Sequence, residues 1–170
     1  MFDLNNVSYD KKPERIVRDI LNKNLKNVMV TCNPDIYKFD LKAWQKGKEN
    51  HLGYIEVERA VSSKWIEDYY EISFLYRKII QALKDSALEN TIYLKFKEDY
   101  SCCFCASMIN IVNCNESKLS GRTGKNENID LKNDIYISVP KNRPDIVIHT
   151  PDKVFKYIDS FFTEIMINEK

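Results

Sequence analysis

The chain has 170 residues, 44% of them hydrophobic and 30% charged, which is the composition of a single globular domain and excludes a disordered polymer. Its 26 basic and 25 acidic side chains leave a net charge of +1, so a uniformly basic nucleic-acid coat is excluded, while a local cationic patch balanced by an acidic site is not. Apolar runs are too short to span a bilayer and "MFDLNNVSYDKKPER" lacks the apolar segment of a signal peptide. The expectation is a soluble, cytoplasmic protein with no membrane association; its Lys, Asn and Ile richness suggests an AT-rich genome, compatible with a phage or mobile element.

Residues 13–25 predict a helix, because Ile16, Val17, Ile20, Leu21 and Leu25 fall at helical spacing and Pro13 suits a first turn. "NVMVTC" reads as a strand, or as the tail of the helix followed by one, and "NPD" as a turn. "IYKFDLKAW" alternates apolar and polar residues, "QKGKEN" is a polar connection, and "HLGYIEVERAV" is the next strand, antiparallel to the last. The segment 72–76 fits either a strand or the start of a helix, and 77–87 is expected to be helical. "TIYLKFKED" and "YSCCFCASMINIVN" read as two β-rich runs. A polar surface loop is expected over 115–133, then extended segments at 134–140 and 145–150, then a terminal helix at 151–167. The predicted fold class is α/β (α+β), a mixed central sheet flanked by helices, in one domain.

Five cysteines are an odd number, and Cys102, Cys103 and Cys105 crowd into one run. Near neighbours on one strand pair poorly as disulfides, and the spacing lacks the paired knuckles of a zinc site. Reduced thiols filling a strand are expected.

The chemistry concentrates in the hairpin. Residues two apart in a strand point the same way, so Glu56 and Glu58 share a face with Tyr54 while Ile55 and Val57 face the core. Asp40, on the preceding strand, can approach them across the connection. Carboxylates gathered in this way repel and call for positive charge among them; hard oxygen ligands suit Mg²⁺ or Mn²⁺. The ordinary alternative is the solvent face of an antiparallel hairpin.

"FDLKAWQKGKENHLGYIEVE" resembles the core of the PD-(D/E)XK nucleases, in which an aspartate on one strand is followed by Glu/Asp, any residue and lysine on the next. The resemblance covers about residues 13–80, with Asp40 at the first position and Glu56 at the second. Glu58 stands where lysine is usual, an E-x-E variant found in some restriction endonucleases. The resemblance implies a restriction-endonuclease-like fold, a Mg²⁺- or Mn²⁺-dependent endonuclease acting on DNA, and metal ligation by Asp40, Glu56 and Glu58, with Glu14 of the preceding helix as a further ligand. It also implies that Glu58 is either a ligand or the group orienting water, and that Lys64 or Lys78 stands in for the missing lysine. Arg77, Lys78 and Lys64 are the candidates for meeting phosphate. Trp44, Trp65 and Tyr76 are assigned structural roles first. A homodimer is common among enzymes that cut both strands, and the "CCFC" strand suits either a sheet extension or a dimer edge. The competing function is a catalytically inactive nuclease-like fold that binds nucleic acid or protein.

Overall fold

The computed structural model describes residues 12–35, 38–60, 70–122 and 134–168. In chain order the elements are α1 (Pro13–Asn24), β1 (Val28–Cys32), β2 (Leu41–Gln45), β3 (His51–Arg59), β4 (Glu71–Leu75), α2 (Tyr76–Lys84), a 3₁₀ turn (Leu88–Asn90), β5 (Thr91–Phe96), β6 (Cys103–Ser107), α3 (Met108–Val112), β7 (Lys118–Arg122), β8 (Asp134–Pro140) and α4 (Pro151–Asn168). The chain is a mixed α/β domain whose main sheet runs β1-β2-β3-β5-β6, with a second sheet of order β4-β8-β7. Within the main sheet only β3 and β5 are parallel.

That parallel pairing depends on Gly53. A Cβ there would sit 2.0 Å from the Asn90 carbonyl oxygen, so only glycine lets the 3₁₀ turn lie against β3 as the chain enters β5. The resulting register sets Glu56 beside Tyr93 and Glu58 beside Lys95.

One face of the main sheet packs under α1 and α4. Ile16, Val17, Ile20 and Leu21 of α1 are buried against Val28, Val30, Leu41, Ala43 and Ile55. Among the described residues the other face is covered in part. Over β3, β5 and β6 it meets α2, α3 and the second sheet, through Ile79, Phe74, Val139, Tyr93 and Phe104. β5 and β6 are accordingly buried almost throughout, whereas β1 and β2 alternate buried with half-exposed or exposed residues. Both sheet edges are occupied. Asn22 bonds the backbone of Val30 in both directions, at 2.8 and 2.7 Å. Ile148 does the same for Cys105, at 2.7 and 2.8 Å, so the "CCFC" strand is an edge already taken by its own chain at that point.

Several expectations need correction. The strand expected from Ile36 begins at Leu41, with 36–37 outside the described residues. The alternative left open at 72–76 resolves as a strand, β4, to Leu75, with Tyr76 starting α2. The second β-rich run ends at Ser107, whose hydroxyl accepts from the Asn110 amide and starts α3; this cap was the overlooked signal. The polar loop contains β7, which finds its partner in β8. Residues 145–150 contribute a single bridge rather than a strand. All five cysteines are free thiols, and burial pushes Cys103 and Cys105 upward, away from the thiolate form. Among the described residues no helix is long and apolar enough to cross a membrane.

Candidate metal and phosphate site

Strand parity places the carboxylates where alternation requires, but not on a solvent face. Ile55 and Val57 join the core under α1 and α4, while Tyr54 turns to the opposite core. Glu56 projects from that second face into the space beneath α2 and is 3% exposed. Its surroundings are interior, so the hairpin's acidic alternation is not a solvated surface.

Asp40 lies one residue before β2, next to the pair Leu41–Ile55. Its Oδ2 accepts a hydrogen bond of 2.9 Å from the Val57 amide, which fixes the carboxylate against Glu56. Burial raises the Asp40 pKa, and the charge of Glu14 on the first turn of α1 adds to that, against the Val57 bond and the charge of Lys78. Glu56 is raised further, to about 8, first by burial and then by the charge of Asp40. The two carboxyl groups are close enough to hydrogen-bond to each other, lowering Asp40 and raising Glu56. Burial and the neighbouring charge therefore both oppose ionising the two carboxyls together.

Among the described residues one cation faces this pair. Lys78 of α2 places Nζ 2.9 Å from Glu56 Oε1 and 3.0 Å from Oε2, and donates to the Lys38 carbonyl at 3.1 Å. Its attraction favours the ionised carboxylate, whereas burial and Asp40 favour the protonated one. The two opposing effects outweigh it, so Glu56 remains raised. Ionising both carboxyls would set two negative charges against one lysine among the described residues.

Glu58 is in a different situation. Lys95 pairs with its Oε1 at 2.8 Å and also donates to the Ser73 carbonyl at 2.7 Å. The Tyr93 hydroxyl donates to Glu58 Oε2 at 2.8 Å and accepts from the Leu75 amide at 3.2 Å. Burial and then Glu58 push the Tyr93 pKa up, so the phenol stays a donor. This network ties the main sheet to β4. Glu58, expected as a ligand or a water-orienting group, is committed to Lys95 and Tyr93.

The remaining candidates separate. Glu14 reaches Asp40 through its charge and stands half-buried; Arg77 is exposed on the first turn of α2; Lys64 and Trp65 lie outside the described residues. Tyr76 packs on the core beneath α2, as a structural aromatic should. Among the described residues no group of three His, Cys, Asp or Glu side chains is arranged to hold a metal ion. The gathered donors are thus two, Asp40 and Glu56. Two adjacent hard carboxylates, both with raised pKa values and short of positive charge, fit a Mg²⁺-type ion that keeps several waters and takes further oxygens from a phosphate.

Sequence reasoning missed Tyr93 and Lys95. Their signal was present in "TIYLKF", where polar groups stand two apart in an apolar strand. What period two could not reveal was that β5 would lie parallel to β3.

No protein-family model matches the chain, and no curated protein matches it. Among solved structures it is similar to a nuclease from a fusselovirus, at 17% sequence identity and a TM-score of 0.49, over 81% of this chain and 78% of that chain.

Proposed function

We propose that the protein is a divalent-metal-dependent nuclease that hydrolyses DNA phosphodiester bonds as an endonuclease. The observation that carries this reading is the Asp40–Glu56 pair, Asp40 fixed by the Val57 amide and Glu56 buried beside it with Lys78 as its cation. It agrees with the first two positions of the motif.

In this reading Asp40 and Glu56 hold Mg²⁺ or Mn²⁺. The bound ion supplies Lewis acidity toward a phosphate oxygen and lowers the pKa of water. Asp40, fixed by a backbone amide, is the preorganised ligand. Glu56 must lose its proton to take part, and Lys78 favours that loss. Lys78 arrives from α2 rather than from the motif strand, meets the pair directly, and in this reading takes over the role of the missing lysine: neutralising charge that develops on the phosphate. Glu14 adds negative field at the Asp40 side, and Arg77 and Lys64 are the cations assigned to flanking phosphates. Glu58 holds Lys95 and Tyr93 in place and acts on the site through the rigidity of β3.

One observation favours the alternative, a fold that binds nucleic acid without cutting it: Lys78 already spans both oxygens of Glu56. A cleavage screen with Mg²⁺ and Mn²⁺ on single-stranded, double-stranded and branched DNA, with Asp40→Ala as control, decides between them. Cutting of at least one form by the parent and not by the variant is the expected result. If no form is cut, the binding-module reading takes over.

A further inference from the structure

The last three residues of β4 are each tied to β5, and the final tie reaches the corner from which α2 leaves. The Ser73 carbonyl accepts from Lys95 at 2.7 Å, and the Phe74 and Tyr93 rings meet edge to face at 4.9 Å between centroids. The Leu75 amide donates to the Tyr93 hydroxyl at 3.2 Å. Leu75 is the residue before the first turn of α2; it is extended, and its own side chain makes no capping bond. Tyr93 is fully buried, and its hydroxyl is used in both directions. A phenol has one proton to give, and this one goes to Glu58 at 2.8 Å, which turns the oxygen lone pairs toward Leu75.

Lys78 follows Leu75 by three residues, about 4.5 Å along a helix axis. The hydrogen-bonded backbone of a helical turn is stiff, so a shift at Leu75 passes on to the base of the Lys78 side chain. The other end of that side chain is held by three acceptors, the two Glu56 oxygens and the Lys38 carbonyl. With its side chain 17% exposed, Lys78 has little room to re-aim. The corner also has support that does not involve the hydroxyl. Phe74 and Ile79 pack in the core beneath α2, and Leu75 pairs with Tyr136 of β8. Those contacts make the fold of the corner, and the hydroxyl fixes its final placement.

We infer that Tyr93 is a positioning residue of the proposed site: by holding the Leu75 amide, its hydroxyl sets the start of α2 so that Lys78 is aimed at Glu56. The inference rests on the nuclease reading for what Lys78 does to a phosphate, and deepens it by naming the group that places that lysine. Charge-assisted bonds depend steeply on geometry, and a misplacement of about 1 Å can cost up to about 100-fold in rate. Removing the hydroxyl leaves the Leu75 amide to find another acceptor, and the corner must move for it to do so.

The first measurement needs neither metal nor DNA. In full-length protein carrying isotope-labelled lysine, an ammonium held by several acceptors exchanges slowly with water and gives a resolved nitrogen–proton signal in the cold. Lys78→Met and Lys95→Met assign the signals of these two lysines. Tyr93→Phe keeps the ring and deletes the hydroxyl; it is expected to abolish the Lys78 signal and to leave that of Lys95, whose bonds to Glu58 and Ser73 do not pass through Tyr93. Leu75→Pro removes the donor instead, at a φ of −65° that proline shares, and is expected to do the same. It carries the test should Tyr93→Phe not fold.

The second measurement is a double-mutant cycle on cleavage at saturating Mg²⁺. Lys78→Met is expected to lower kcat by about 100-fold. Tyr93→Phe is expected to lower kcat by about 10-fold with KM for DNA within about twofold of the parent. The double variant should match Lys78→Met within about twofold, because a residue that acts through another has nothing left to act on.

An unchanged Lys78 signal in Tyr93→Phe overturns the inference and leaves the nuclease reading as it was. So does loss of both lysine signals, which would mean that the whole network gives way. A fall in kcat that Tyr93→Phe still causes when position 78 is methionine also overturns it. A lower melting temperature with signal and kcat as in the parent does the same, since it marks a hydroxyl that serves the fold alone. If the protein cuts no DNA, the nuclease reading falls, and loss of the Lys78 signal alone still upholds Tyr93 as the group that places Lys78 on Glu56.

Discussion

Glu56 and Glu58 stand two residues apart on one face of one strand, yet their surroundings have opposite character. Glu58 lies in a closed polar network: one ammonium and one phenol meet its two oxygens, and both partners are themselves anchored to β4. Glu56 lies beside another carboxylate, with a single lysine to offset the two, and burial drives its pKa to about 8. A balanced network holds a fold together. An unbalanced one is a place where a cation can bind, because the cation relieves a repulsion that the fold alone leaves in place. In the proposed reading the two glutamates of the E-x-E sequence divide into a site residue and a scaffold residue.

The largest effect should come from removing the unbalanced pair. Asp40→Ala and Glu56→Ala each delete one of two donors, and metal-dependent cleavage is expected to fall at least about 1,000-fold, at or below detection in a gel assay. Both variants should remain folded by circular dichroism, since each removes a group whose burial opposes folding. If either variant cleaves within about tenfold of the parent, the carboxylate pair is not the site.

Glu58→Ala probes the balanced side and should show itself as instability. Lys95 and Tyr93 would lose their shared anion, and breaking a mostly buried ion pair costs about 3 kcal/mol, or about 6–12 °C of melting temperature for a domain of this size. The metal requirement of the remaining activity should be unchanged. Glu58→Lys, which restores the family pattern, sets two ammonium groups against each other at the Glu58–Lys95 register and is expected to melt lower than Glu58→Ala and to be weakly active at best. The exchange Glu58→Lys with Lys95→Glu should recover much of the loss. If Glu58→Ala melts as the parent does but no longer binds Mg²⁺, the two glutamates have been assigned the wrong way round.

Much of the geometry of this candidate site was legible in the sequence. The alternation of "YIEVE" fixed which residues share a face, and the short polar connection brought Asp40 alongside. Lys78 could be named as a cation because it follows the hairpin at a helix start. The division between Glu56 and Glu58 was not legible, because it depends on β5 returning parallel to β3 with Lys95 in register, and on β4 belonging to another sheet. Long-range pairing of this kind leaves no periodicity behind. The same limit applied to β7: its polar, Asn- and Ser-rich surroundings read as loop, and pairing with β8, itself expected as an extended segment, makes it a strand. Phe39, Trp44, His51 and Tyr54 were visible as rings but not as a row of ring contacts, since they become neighbours only through register.

The smallest effect, and the one most specific to the unbalanced pair, is its response to pH. The Glu56 carboxyl is raised from its ordinary value of 4.5 to about 8 in the folded chain. Between those values the folded protein holds a proton that the unfolded chain has released, so without metal stability should fall as pH rises across that window and level off above it. Metal reverses the preference, since a ligand must be ionised and binding displaces the proton. Apparent Mg²⁺ affinity, measured by calorimetry, should therefore rise about tenfold per pH unit from 6 towards 8 and flatten beyond, with about one proton released per ion at pH 6.5. Asp40→Asn removes the neighbouring charge, the second cause of the shift, and should move the bend in this profile to lower pH while weakening binding throughout. Glu58→Gln should leave the bend where it is. A profile flat from pH 6 to 8 would mean that Glu56 is ionised before metal arrives, and that Lys78 alone balances the pair.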